Sequence, residues 1–167
     1  MDVVALASVI TTGICSPLIG ASIVGIQAKL KRREYATADA RRLLDTTAEY
    51  LAKMSHMTGH VVVLWQRGIS PESEEPMEDL RRRREAQEGI VASREKLAVR
   101  FGASNKIVSK LDDVIVAMDR LNSLLSRYRD NAEFEPLSRE IYSARDDFGT
   151  ARNNFAEEAY SLQRNIA

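Results

Sequence analysis

His56 and His60 stand four residues apart, the spacing that places two imidazoles on one side of a helix, where they could chelate one metal ion. The set is incomplete for that chemistry. No HExxH glutamate and no third histidine accompanies them, and the single cysteine, Cys15, lies in an apolar stretch. The pair is therefore read as solvated side chains, with a metal site as the alternative, and no cofactor is expected. A second cluster, Arg81, Arg82, Arg83 and Arg84, is a compact basic block of the kind that anionic lipid headgroups attract, at about 1 kcal/mol per side chain near a membrane surface. Glu72, Glu74, Glu75, Glu78, Asp79 and Glu85 surround it, so the favoured reading is a solvated block neutralised by its own neighbours. No aromatic residues interleave with these arginines, and nucleic acid is not an expected partner. Phosphate-loop, nucleophile-elbow and dinucleotide fingerprints are all absent from the sequence, so an enzyme is not expected.

The elements that must carry these residues follow from composition and period. The chain has 167 residues, and its 24 basic and 24 acidic side chains give a formal net charge of zero, so any electrostatic recognition must be local. Four prolines, eight glycines and 29% charged residues describe long solvated helices better than strands. From Val3 to Ala28 there is no charged residue, and roughly 20 apolar residues suffice to cross a ~30 Å hydrocarbon core as a helix. This predicts a transmembrane span. Asp2 precedes it, and Lys29, Lys31, Arg32 and Arg33 follow it. That asymmetry predicts a single-pass protein of the cell membrane with its N-terminus outside and its C-terminal domain cytoplasmic. A cleaved signal peptide would want the basic residues before the apolar run, and an interfacial helix would want a charged polar face. Thr12, Ser16 and Gly20, and Ala21 with Gly25, repeat a small-xxx-small spacing through which the span could associate with a second copy.

Beyond the basic junction, Thr37, Ala40, Leu44, Thr47, Leu51, Met54, Thr58, Val61 and Trp65 follow the 3,4 spacing of one helix face. Residues 68–76 read as an acidic, proline-containing linker. Pro76 then suits the first turn of a second helix running to about Phe101, with a thin apolar face of Leu80, Ile90, Val91, Leu97 and Phe101. Gly102 reads as a C-cap and Ser104 as the N-cap of a third helix, which carries Leu111, Val114, Met118, Leu121, Leu125 and Tyr128. Pro136 opens a fourth, with Leu137, Ile141, Ala144, Phe148, Ala151, Phe155, Ala159, Leu162 and Ile166 at helical spacing. The expected organisation is an anchor over 1–28, a long juxtamembrane helix over 29–67, the linker over 68–76 and a helical hairpin or bundle over 77–167. The fold class is all-α: a transmembrane helix continuing into an elongated antiparallel bundle or coiled-coil-like hairpins.

The start Met1-Asp2, the junction Lys29-Leu30-Lys31-Arg32-Arg33-Glu34-Tyr35, the turn Arg100-Phe101-Gly102-Ala103 and the final Ala144-Arg145-Asp146-Asp147-Phe148 helix give a layout that resembles small uncharacterised bacterial single-pass membrane-anchored helical proteins. The resemblance implies topology and supplies no activity. The function expected is a membrane-tethered interaction or scaffold module, anchored in the lipid bilayer by its span, whose helical faces bind an unidentified protein partner or a second copy of the chain. The alternative is a ligand- or metal-responsive helical bundle, enzymatic or not, built around His56 and His60.

Overall fold

The computed structural model describes the backbone of residues 3–131 and 134–166 and the side chains of residues 27–128 and 138–166. It is all-helical: α1 (Val3–Gln66), α2 (Glu74–Phe101), α3 (Lys106–Asn131) and α4 (Phe134–Asn165). The chain divides into two compact units, residues 1–39 and 40–167. In the first, the described side chains, from Gln27 to Asp39, are exposed or half-buried. The second contains the rest of α1 together with α2, α3 and α4, and holds the hydrophobic core.

The expected membrane topology is not upheld. Among the described residues no helix is long and apolar enough to cross a membrane, and the single-pass placement, N-terminus outside and C-terminal domain cytoplasmic, falls with it. The described side chains of α1 begin after most of the expected span, and there Lys29, Lys31, Arg32, Arg33, Glu34, Asp39, Arg41 and Arg42 follow in quick succession, leaving no stretch of roughly 20 apolar residues. The side chains of residues 3–26, including the small-residue face from Thr12 to Gly25 and Pro17, lie outside the described residues, as do those of Asn131 to Leu137.

Within residues 40–167 the order of the helices follows from which side chains meet. His60 meets Asp79 while Lys53, two turns earlier, meets Glu85 at 3.8 Å, so α1 and α2 run antiparallel. Arg94 reaches Asp112 at 2.8 Å and Asn122 reaches Gln87 at 2.9 Å, which makes α2 and α3 antiparallel. The pairs Arg120–Asp147 at 2.6 Å and Lys106–Glu158 at 2.6 Å do the same for α3 and α4. Finally, Gln163 donates to Asp45 at 2.9 Å and Arg152 to Ser55 at 3.0 Å, bringing α4 back alongside α1. Four helices, each antiparallel to the next and the last to the first, form an up-down-up-down bundle. Its core repeats at heptad spacing: Leu44, Leu51, Met54, Val61 and Trp65 from α1 and Leu111, Val114, Met118, Leu121 and Leu125 from α3 are all buried. That is the spacing with which the side chains of neighbouring helices interdigitate.

The helix ends are set by local chemistry. Gly68, at φ 75°, lets the chain turn left-handed after α1. Its N–H donates to Trp65 O at 2.9 Å, and the Ile69 N–H donates to Leu64 O at 3.1 Å, the paired bonds of a Schellman cap. The expected linker is shorter than 68–76, because α2 already begins at Glu74. The first four N–H groups of a helix have no internal partner, so Pro76 in the first turn forfeits no bond. The cap of α3 is Asn105 and not Ser104: Asn105 Oδ1 accepts from the Ile107 N–H at 3.0 Å, satisfying one of the helix's unpaired donors.

Candidate functional site

The inward-facing stripe of α2 is Pro76, Asp79, Arg83, Ala86, Ile90, Ser93 and Leu97. Its spacing is as regular as that of the other three helices, but three of its seven positions are polar. Each buried polar group needs a partner, since an unpaired one costs roughly 1–3 kcal/mol and a charge more. Arg83 is 6% exposed, and its Nε donates to Thr58 Oγ1 across the seam at 2.9 Å. The Thr58 hydroxyl in turn donates to Met54 O at 2.8 Å, so one buried threonine relays between the α1 backbone and the guanidinium. Asp79, one turn before Arg83 and also 6% exposed, is engaged elsewhere: it hydrogen-bonds His60 Nδ1, and the other ring nitrogen of His60 faces Glu75 at 3.7 Å.

Arg83 is left as a buried cation without a carboxylate partner among the described residues. Its Nη2 has no hydrogen-bond acceptor, and burial alone pulls its pKa down to about 10. On the α3 side the guanidinium lines a cavity of about 180 Å³ together with Leu80, Arg84, Gln87, Asn122, Leu125 and Ser126. Asn122 spends its amide N–H on Gln87 Oε1 at 2.9 Å, and its Oδ1 is buried without a donor. Both atoms are themselves closed off from solvent, so the seam between α2 and α3 holds one unmatched donor and one unmatched acceptor that do not open into the cavity.

The four arginines of the basic block do not share an environment. Consecutive helical residues point about 100° apart, and the structure separates them accordingly. Arg81 and Arg82 are exposed and pair with Glu78, at 2.8 Å each, and Arg81 also with Glu85 at 2.7 Å. Arg84 is exposed at the rim of the cavity, whereas Arg83 turns inward and departs from the solvated reading of the block. His56 is exposed, while His60 is half-buried against its two carboxylates. The two imidazoles share no partner, and among the described residues no group of three or more His, Cys, Asp or Glu could hold a metal. Lys29, Lys31, Arg32 and Arg33 are exposed on α1. The sequence places Thr58 on the inward stripe of α1 and Asp79 among the acids around the arginine block, and gives neither of them, nor Gln87 or Asn122, a role in a site. The available signal was the heptad register of α2, in which Asp79 and Arg83 fall in phase with Ile90 and Leu97.

Comparison with protein-family models, with curated proteins and with solved structures finds no match to the chain.

Proposed function

We propose that the bundle is a non-enzymatic interaction module that pairs with a second copy of itself through the outer face of α2. The observation that carries this reading is a shallow groove centred on Val91 and lined by Arg84, Gln87, Glu88, Val91, Ala92 and Glu95. Val91 is 41% exposed, an apolar centre flanked by charges. Arg84 and Glu95 are exposed, and neither forms an ion pair among those found between described residues. They lie eleven positions apart, about three helical turns, and so fall on the same side of α2. Two α2 helices laid antiparallel about a two-fold axis near Val91 bring Arg84 of each copy against Glu95 of the other. One symmetry operation makes both pairs, the self-complementarity that an isologous interface requires, with Val91 and Ala92 covered at the centre.

Sedimentation equilibrium of the full chain tests the reading. The wild type is expected to dimerise, Glu95→Arg to shift the equilibrium to monomer by setting like charges opposite one another, and Arg84→Glu combined with Glu95→Arg to restore the dimer with the signs exchanged. A wild type that stays monomeric at every loading concentration, or a charge-swapped variant no better than Glu95→Arg, excludes this interface.

A further inference from the structure

We infer that Val99 fixes the register in which two copies of the chain pair, each copy seating its Val99 in a groove near the start of the other's α2. The inference rests on the self-pairing proposed above and decides between arrangements that charge leaves open. Val99 is 90% exposed, the most exposed large apolar side chain among the described residues. It follows Val91 by eight positions, about 80° round the helix axis, and so belongs to the side of α2 that the pairing covers. Towards the other end of α2 a second groove is lined by Glu74, Met77, Glu78, Leu80, Arg81 and Arg84. Its apolar residues are Met77, 47% exposed, and the half-buried Leu80.

Two antiparallel registers satisfy Arg84, because Glu88 and Glu95 are both exposed acids on the Val91 side of α2. Facing positions step in opposite directions along antiparallel helices. With Arg84 against Glu95, the residue four before the arginine meets the residue four after the acid, which sets Leu80 against Val99. With Arg84 against Glu88, Met77 faces Glu95, and Val99 is carried past the start of the other α2 to its N-cap, Ser73. Exposed ion pairs are weak, and one acid serves nearly as well as the other. Apolar burial follows the area removed from water, and the two-fold axis makes each apolar contact twice. The first register is therefore the favoured one. It also makes the surface selective: a partner must carry an apolar residue four positions beyond the acid that meets Arg84, and this chain meets that requirement in itself.

Cysteine cross-linking of the full chain, in a Cys15→Ser background, reads the register. Leu80 and Val99 are nineteen positions apart on one helix, about 28 Å, so a disulfide between them can only join two copies. Leu80→Cys combined with Val99→Cys is expected to give a covalent dimer under mild oxidation, and Ser73→Cys combined with Val99→Cys is not. In sedimentation equilibrium Val99→Asp should weaken the dimer at least about tenfold in Kd. Its helix content should stay that of the wild type, because a side chain this exposed takes no part in the bundle core. If the charge-exchanged variant of Arg84 and Glu95 restores the dimer but the cysteines at 80 and 99 do not join, or Val99→Asp dimerises like the wild type, the role of Val99 is overturned and the pairing stands without it. Joining through positions 73 and 99, or a wild type that stays monomeric at every loading concentration, overturns both.

Discussion

Along α3 and α4 the buried positions are filled without interruption by apolar or aromatic side chains, from Ile107 through Leu111, Met118 and Leu125 and from Ile141 through Phe148 and Phe155. Along α1 and α2 the same heptad positions admit Thr47, Thr58, Asp79, Arg83 and Ser93, and every buried polar or charged side chain among the described residues lies on these two helices. The α3–α4 pair is also the more closely packed of the two seams that α3 makes. The two halves of the bundle thus divide the labour. Apolar burial, at about 25 cal/mol per Å², is non-directional and stabilises whichever close packing is available. Polar contacts such as Arg83 to Thr58 and Asp79 to His60 add little net stability but are satisfied in one register only, the best-attested use of buried polar groups between helices.

The contrast can be broken most severely in its apolar half. Phe148 and Phe155 are 1% and 0% exposed, and truncating a buried phenylalanine costs about 3–5 kcal/mol. Against a total of about 5–15 kcal/mol for an ordinary domain, Phe148→Ala combined with Phe155→Ala should leave the chain largely unfolded in circular-dichroism melts. A double variant that melts like wild type would remove the distinction between the halves.

The polar half should respond with the opposite sign. Replacing Arg83 by methionine deletes a buried charge that has no acid partner among the described residues, and removing an uncompensated buried charge should leave stability unchanged or raise it. Urea unfolding of Arg83→Met against wild type measures this directly. The pH dependence of the same group gives a second check. Burial depresses the Arg83 pKa to about 10, so the folded chain releases this proton more readily than the unfolded chain does. The contribution of Arg83 to stability therefore rises as pH climbs through 10 towards the ordinary arginine value, and the methionine variant should lack that rise.

A smaller effect probes how closely α1 approaches α2. A Cβ added at Gly89 would lie 2.6 Å from the Tyr50 ring, so the glycine makes room for the aromatic side chain across the seam. In a free helix Gly→Ala gains about 1 kcal/mol. Here Gly89→Ala should gain nothing or lose stability in the wild type, and should recover the gain in a Tyr50→Ala background, as a double-mutant cycle would read.

The smallest effect belongs to the solvated part of α2. Hydrogen bonds from Arg81 first, then Arg82, hold the Glu78 carboxyl down at about 2. A depressed acid contributes stability that is present above its ordinary pKa and fades as pH falls towards about 2. Any melting-temperature difference between wild type and Glu78→Gln should therefore be seen near neutrality and vanish on acidification. Its size should be slight, because exposed pairs of this kind are screened by water. A difference that grows in acid would mean that Glu78 is not held by the arginines.

Period is a local property of the chain, and what depends on period was determined by the sequence itself. The 3,4 spacing that runs from Ala40 to Trp65, from Leu111 to Tyr128 and from Ile141 to Ala159 picks out side chains that are buried in the bundle, and Gly68 and Gly102 stand where α1 and α2 stop. The sequence also drew attention to the arginine block, yet treated four residues as one surface when a helix must point them in different directions. On α2 the expected apolar face included Val91, which is 41% exposed, while the inward stripe contains Asp79, Arg83 and Ser93. Hydrophobicity could not reveal that stripe, because whether a polar residue can be buried depends on what faces it from another helix. Thr58 and His60 lie 25 and 19 positions away from Arg83 and Asp79, and Asn122 lies 35 away from Gln87. Only the packing of α1 and α3 around α2 brings those groups within hydrogen-bond reach, so the buried arginine and the cavity beside it were decided by the tertiary structure alone.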